Sequence, residues 1–166
     1  MAKEEEIVVI VDEDNHVIGA EPRSRMRAGG MAHRATYILV FNSRGEMFVQ
    51  KRTGNKDIYP GFYDVAAGGV VSDGETYDAC AERELEEEMG IRGVPLEGLF
   101  DFYHVDGATR IWGKAYRCLY DGDIVLQEEE VESGEFLGIE EILRRSQREP
   151  FTPDGLYVLR RYLDGQ

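Results

Sequence analysis

Five glutamates, Glu82, Glu84, Glu86, Glu87 and Glu88, crowd around Arg83 in one short stretch. At about 100° per residue on a helix, Glu84, Glu87 and Glu88 fall within roughly 100° of circumference, whereas Glu82 and Glu86 point to the opposite side. Like charges at this spacing destabilise a helix by about a few tenths of a kcal/mol per pair unless a cation sits among them. Tyr77, Ala81 and Leu85 form the adjoining apolar stripe, so Glu84 and Glu88 border the buried side, a costly place for an unpartnered charge. A hard divalent ion is the natural neutraliser. An ion held this way can polarise an anionic group beside it and make a bound water acidic, with a carboxylate to take the proton.

These side chains need a rigid helix and a loop that approaches it closely. Residues 75–89 carry the helical pattern, and Gly90 stands where a C-terminal cap belongs. Gly68-Gly69 lets the chain turn sharply just before, after an extended segment at 62–67 introduced by Pro60-Gly61. Upstream, residues 6–11 and 16–20 read as an amino-end hairpin around Asp12 to Asn15, followed by a short basic stretch. Residues 36–42 and 46–52 read as a second β pair, rich in strand formers such as Tyr37, Ile38, Val40, Phe48 and Val49. Downstream come strands at 96–105 and 110–120, an acidic loop, and a short strand near 135–137. Two helices close the chain, the last opened by Thr152 as N-cap with Pro153 in the first turn.

A length of 166 residues fits a single domain with one core. With 33 acidic against 19 basic residues, a formal charge of -14 repels phosphate backbones and excludes broad binding to extended nucleic acid. Cys80 and Cys118 are too few and too far apart for a disulfide framework or a zinc site. The acidic start from Met1 to Glu6 carries no export signal, and no apolar run is long enough for a bilayer. The expectation is a cytoplasmic protein with no membrane partner, and a homodimer is the one assembly left open.

Gly69, Glu75, Arg83, Glu84, Leu85, Glu87, Glu88, Gly90 and Ile91 match, at every specified position, the pattern G-x5-E-x7-R-E-U-x-E-E-x-G-U, where U is aliphatic. The chain therefore resembles the Nudix hydrolases, with residues 69–91 as the Nudix box. The resemblance implies an α/β/α sandwich around a mixed curved sheet, here with residues 1–30 as an N-terminal hairpin extension to a domain spanning 1–166. It implies Glu84, Glu87 and Glu88 as the main metal ligands, with the Gly69 carbonyl able to add an oxygen. Arg83 and Glu75 would brace the loop against the helix. Glu87 and Glu130 are the alternatives for the base that takes the proton of the attacking water.

Outside the box, His33-Arg34-Ala35 and residues 50–61 resemble the isopentenyl-diphosphate isomerase branch of the superfamily. In that branch the residues matching Arg52 and Lys56 grip the substrate diphosphate, and Arg23 matches a third cationic position. The isomerase chemistry does not carry over. Ala67 stands where the catalytic cysteine would be, Gly69 replaces a histidine ligand, and the acidic pair falls near Thr109 and Ile111. His33 matches a metal-binding histidine but has lost its co-ligands, which fits a supporting or packing role. Trp112, Phe102 and Tyr103 are candidates either for the core or for stacking on a substrate. The expected function is Mg²⁺-dependent hydrolysis of a diphosphate linkage in a nucleoside diphosphate derivative or related small organic diphosphate. The alternatives are a prenyl-diphosphate isomerase-like enzyme and a catalytically silent diphosphate-binding module.

Overall fold

The structure, a computed structural model, describes residues 5–165, so residues 1–4 of the expected extension lie outside it. The amino end forms the expected hairpin, β1 (Ile7–Val11) and β2 (Val17–Pro22), paired antiparallel. Its turn is held by the Asp12 carboxylate, which accepts the N–H groups of Asp14 and His16 at 2.9 Å each. The basic stretch that follows is a helix, α1 (Arg23–Gly29), ended by Gly30 at φ 58°. Sequence reading left it unassigned because seven residues are too few to show a helical period.

The central strand is β3 (His33–Phe41). Both its faces are buried, and alternation divides them. Ala35, Tyr37, Leu39 and Phe41 point to one layer, and Ile38 and Val40 to the other. The first layer is closed by α3 (Ile139–Ser146) and α4 (Pro153–Asp164), through Ile142, Val158, Leu159 and Tyr162. The second is closed by α2 (Tyr77–Met89), through Ala81, Leu85 and Met89. The result is the expected sandwich of helices around a mixed sheet of eight strands.

The pairing of β3 departs from the expected hairpin. With β4 (Met47–Arg52) it shares only the turn pair Phe41 and Met47. Along its whole length it pairs instead, in parallel, with β7 (Arg110–Leu119), which carries β6 (Glu97–Val105) on its other edge. Meanwhile β4 pairs with β5 (Tyr63–Asp64) and with β8 (Val131–Leu137), the latter longer than its sequence suggests. Two strands that share a turn and then diverge leave a backbone edge of β3 open. The chain after β5 fills it. Ile38 and Ala67 exchange both N–H···O bonds at 2.7 and 2.9 Å, Thr36 N–H donates to the Gly69 carbonyl at 2.9 Å, and Val71 N–H to the Arg34 carbonyl at 2.9 Å. That insertion places the glycine loop directly beneath α2.

At α4, Pro153 occupies the first turn as expected, but Thr152 makes no side-chain cap. Its hydroxyl is buried among Asp64 and Gly155, while Asp154 takes the Tyr37 hydroxyl at 2.8 Å. The helix start is thereby tied into the core rather than capped from solvent.

Candidate active site

Helix α2 is cut to length at both ends. The Thr76 hydroxyl accepts the Ala79 N–H at 3.1 Å, and Gly90, at φ 68°, donates to the Glu86 carbonyl. The free carbonyls of Glu88 and Met89 are taken by the N–H groups of Gln127 and Val125, both at 3.0 Å. The acidic loop before β8 is therefore pinned to the end of this helix. Between them opens a cleft of about 980 Å³. One wall is Gly68, Gly69, Arg83, Glu84, Glu87 and Glu88; the facing wall is Lys56, Asp57, Glu130 and, from α1, Arg23 and Arg27.

Two of the three clustered carboxylates are sunk into the first wall. Glu88 is 7% exposed, and one of its oxygens accepts the Gly68 N–H at 3.3 Å. Burial, reinforced by the neighbouring Glu84, pushes its carboxyl up to about 8. Glu84 lies against bare backbone: a Cβ added to Gly69 would stand 2.6 Å from the Glu84 carboxyl carbon. Burial, offset in part by Arg83 and reinforced by Glu87, pushes Glu84 up to about 7. Glu87 is nearer the solvent, its side chain 47% exposed. Glu82 and Glu86 are exposed on the far side of the helix.

Arg83 ties the group together. Its Nε and Nη2 donate to the two oxygens of Glu75 at 2.7 and 3.0 Å, while Nη1 reaches Glu84 at 2.8 Å and Glu87 at 3.2 Å. The Glu75 bonds in particular raise the Arg83 pKa above its usual range. Glu75 also accepts the Ser72 N–H, which ties the loop to the helix. Gly69 carries its carbonyl toward β3, where Thr36 N–H takes one lone pair, and its contribution to the cleft is the space it leaves. Cys80, buried beside this loop with its thiol pushed up to about 12 by desolvation, is no nucleophile.

On the facing wall Lys56 is ion-paired with Glu130. Arg23 and Arg27 share Asp57, at 3.2 and 3.1 Å. Despite burial, these two guanidinium groups hold Asp57 down to about 2. Arg27 and Asp57 were missed in the sequence; the available signal was the four-residue spacing of Arg23 and Arg27, which shares one face once the stretch is helical.

Arg52 does not join the cleft, contrary to expectation. Its guanidinium turns inward, with Nη2 donating to the Ile58 carbonyl at 3.0 Å and Nη1 3.9 Å from the buried Asp64. A buried carboxylate behind the strand outcompetes the cleft for this charge. His33 is 1% exposed, with Nδ1 against the Met31 carbonyl at 2.9 Å, and burial lowers it to about 4. Its neutral ring packs behind α1. Phe102 packs at a tilt against Tyr37 in the core, and Tyr103 pairs with Trp112, whose indole N–H reaches the Glu13 carbonyl. None of the three lines the cleft. Asp12, Asp14 and His16 also bring ligand-type atoms within 4.8 Å of one another, but their bonds are those of the hairpin turn.

The donor set fits a divalent ion: three carboxylates of one helix line the same cleft, Glu84 and Glu88 in positions that penalise their charge, with the Arg83 guanidinium shared between Glu84 and Glu87. Among the described residues no helix is long and apolar enough to cross a membrane.

Comparison with known proteins gives a match of residues 31–162 to the family model described as NUDIX domain. The chain is 46% identical over 154 residues to the uncharacterized Nudix hydrolase YfcD of Escherichia coli, covering 93% of this chain and 84% of that one. It is 41% identical over 163 residues to the uncharacterized Nudix hydrolase PA4841 of Pseudomonas aeruginosa, covering 98% and 96%. Among solved structures, DR0079 of Deinococcus radiodurans superposes with a TM-score of 0.83 at 25% identity, covering 94% of this chain and 98% of that one. The NUDIX domain of Shewanella oneidensis NrtR, complexed with ADP ribose, shares the fold with a TM-score of 0.67 at 13% identity, covering 87% and 98%.

Proposed function

The chain belongs to the NUDIX domain family, and from that premise we propose that it hydrolyses the diphosphate linkage of a nucleoside diphosphate derivative or related small organic diphosphate. The observation that carries this reading is that Glu84, Glu87 and Glu88 of one helix line the same cleft as Lys56. That a related fold is seen with ADP ribose supports a substrate of this kind.

Glu84, Glu87 and Glu88 would hold Mg²⁺, or Mn²⁺ in its place. When bound, the ion supplies positive charge that polarises the phosphate oxygens and makes water more acidic. The chain's own residues do the rest. Arg83, anchored on Glu75, keeps the helix and loop in register and holds Glu84 and Glu87 toward the cleft. Lys56 takes phosphate oxygens and in doing so leaves Glu130. The freed Glu130 carboxylate, or the solvent-reachable Glu87, accepts the proton as the water oxygen bonds to phosphorus and the bridging P–O bond breaks. The leaving phosphate keeps that bond's electron pair. Prenyl transfer of a proton between carbons finds no support, since Ala67 and Gly69 occupy the positions where that chemistry needs a thiol and an imidazole.

The test is incubation with Mg²⁺ and a panel of nucleotide and isoprenoid diphosphates. Cleavage to two phosphomonoesters, or to a monoester and free phosphate where the diphosphate is terminal, that disappears in Glu87→Gln is the expected result. Double-bond migration without cleavage would overturn it, as would tight binding with no turnover of any panel member.

A further inference from the structure

We propose that α1 is a specificity element, in which Arg27, assisted by Arg23, recognises a second anionic group on the substrate, separate from the diphosphate that is cleaved. This rests on the hydrolase reading above and deepens it.

The family model begins at residue 31, so α1 at Arg23–Gly29 lies outside the part matched to the family. Yet, among the described residues, this helix supplies two of the four cations that line the cleft. A helix added to a common domain and aimed into its cleft is positioned to choose substrates rather than to perform the shared chemistry.

Arg27 is an expensive residue to place there. Its side chain is 16% exposed, and burial lowers its pKa. Of its five N–H donors, Nε donates to Asp57 at 3.1 Å and one on Nη1 reaches the Thr109 hydroxyl at 3.5 Å. Among the described residues its hydrogen bonds run through Nε and Nη1 only, which leaves Nη2 to the cleft that the group borders. A desolvated guanidinium with donors to spare is what binds a phosphate or carboxylate in two-pronged fashion. Asp57 fixes its orientation.

The two ends of the cleft are electrically distinct. Lys56 pairs with Glu130, on the loop pinned to the end of α2, whereas Arg23 and Arg27 pair with Asp57. The diphosphate bound near the carboxylate helix therefore has Lys56 as its cationic partner, which leaves the α1 guanidinium groups for another part of the molecule. The remaining lining agrees. Among the described residues no aromatic lines the cleft and Val70 is the single apolar side chain, so these residues cater for neither ring stacking nor a prenyl tail.

The test uses matched pairs of organic diphosphates that differ only in one additional phosphate on the organic part, for example ADP-ribose and its 2′-phosphate. For the unaltered protein the expected kcat/KM is about tenfold or more higher for the phosphorylated member. Arg27→Gln should erase that preference through KM while changing the parent compound about threefold at most. Arg23→Gln, at a more exposed position, repeats the measurement should Arg27→Gln fold poorly. Equal kcat/KM within each pair, or equal losses for both members in the variants, would overturn the inference while leaving hydrolysis intact. Should no compound be hydrolysed at all, the hydrolase reading fails separately. Calorimetric affinities of the same pairs with Mn²⁺ then still decide the inference, with equal affinities refuting it.

Discussion

Replacing Gly69 with alanine isolates the geometry of the carboxylate wall from the stability of the fold. Gly69 has no left-handed backbone requirement, so alanine fits its φ without strain. The added methyl, however, would stand 2.6 Å from the Glu84 carboxyl carbon and 2.7 and 2.9 Å from its oxygens. Ordinary contact begins near 3.4 Å, so the carboxylate must retreat by roughly 0.8 Å. Because the obstacle is the end of a flexible side chain, the protein itself should lose only about 1 kcal/mol. The site should lose far more, since a misplacement of about 1 Å costs on the order of 10²-fold in rate. The measurements are a thermal melt, calorimetric titration with Mn²⁺, and turnover on whichever diphosphate the wild type hydrolyses. Gly68→Ala is the contrast. There φ is +138° and the new methyl would collide with the Thr36 backbone carbonyl, so the fold itself should fail. A Gly69→Ala protein that binds Mn²⁺ and turns over like wild type would refute the claim that this glycine exists to admit Glu84.

Glu84 and Glu88 titrate near 7 and 8 in the metal-free fold, against about 4.3 when unfolded. Between these values the folded chain binds more protons than the unfolded one, so stability should fall as pH rises from about 4.3 through 8. Urea midpoints in EDTA should show that decline, and Glu88→Gln or saturating Mg²⁺ should flatten it. Arg83→Lys keeps the charge but loses the paired bonds to Glu75, and should lower stability by about 1–2 kcal/mol and weaken Mn²⁺ binding measured by calorimetry. Tyr37→Phe strands the buried Asp154 carboxylate without its 2.8 Å donor and should cost about 1–3 kcal/mol in denaturant melts, with no change in metal affinity.

Patterns of local origin were the ones the sequence displayed. The period of α2 and the Gly90 cap are properties of a few neighbouring residues, and the helix ends where the spacing placed it, although it begins at Tyr77 behind the Thr76 cap rather than at Glu75. Glu84 and Glu88 are semi-buried, as the adjoining Tyr77, Ala81 and Leu85 stripe required. What escaped depends on contacts between distant segments. The divergence of β3 from β4 cannot be seen in two strand-forming runs joined by a turn, because the competing partner, β7, lies some seventy residues on. Arg52 and Arg27 show the same difficulty in side chains. Both are basic residues near the site in sequence or space, but Arg52 is drawn inward by Asp64, whereas Arg27 is held at the cleft by Asp57.

The charge balance of the cleft adds a constraint that neither the motif nor the fold states alone. Among the described residues its lining carries eight carboxylates, Glu5, Glu6, Asp57, Glu84, Glu87, Glu88, Glu129 and Glu130, against the four cations Arg23, Arg27, Lys56 and Arg83. All four cations are already paired: Arg83 with Glu75, Lys56 with Glu130, Arg23 with Asp57 and Glu6, and Arg27 with Asp57. A diphosphate approaching the metal-free cleft therefore meets net repulsion in a confined space that screens it less than open water does. Burial of Glu84 and Glu88 softens this only by keeping protons on them, and a divalent ion displaces those protons as it binds. A divalent ion that displaces both protons leaves the summed charge of the lining about where it was, but it would set two positive charges among Glu84, Glu87 and Glu88, where phosphate oxygens arrive. Cation before substrate is therefore the expected binding order.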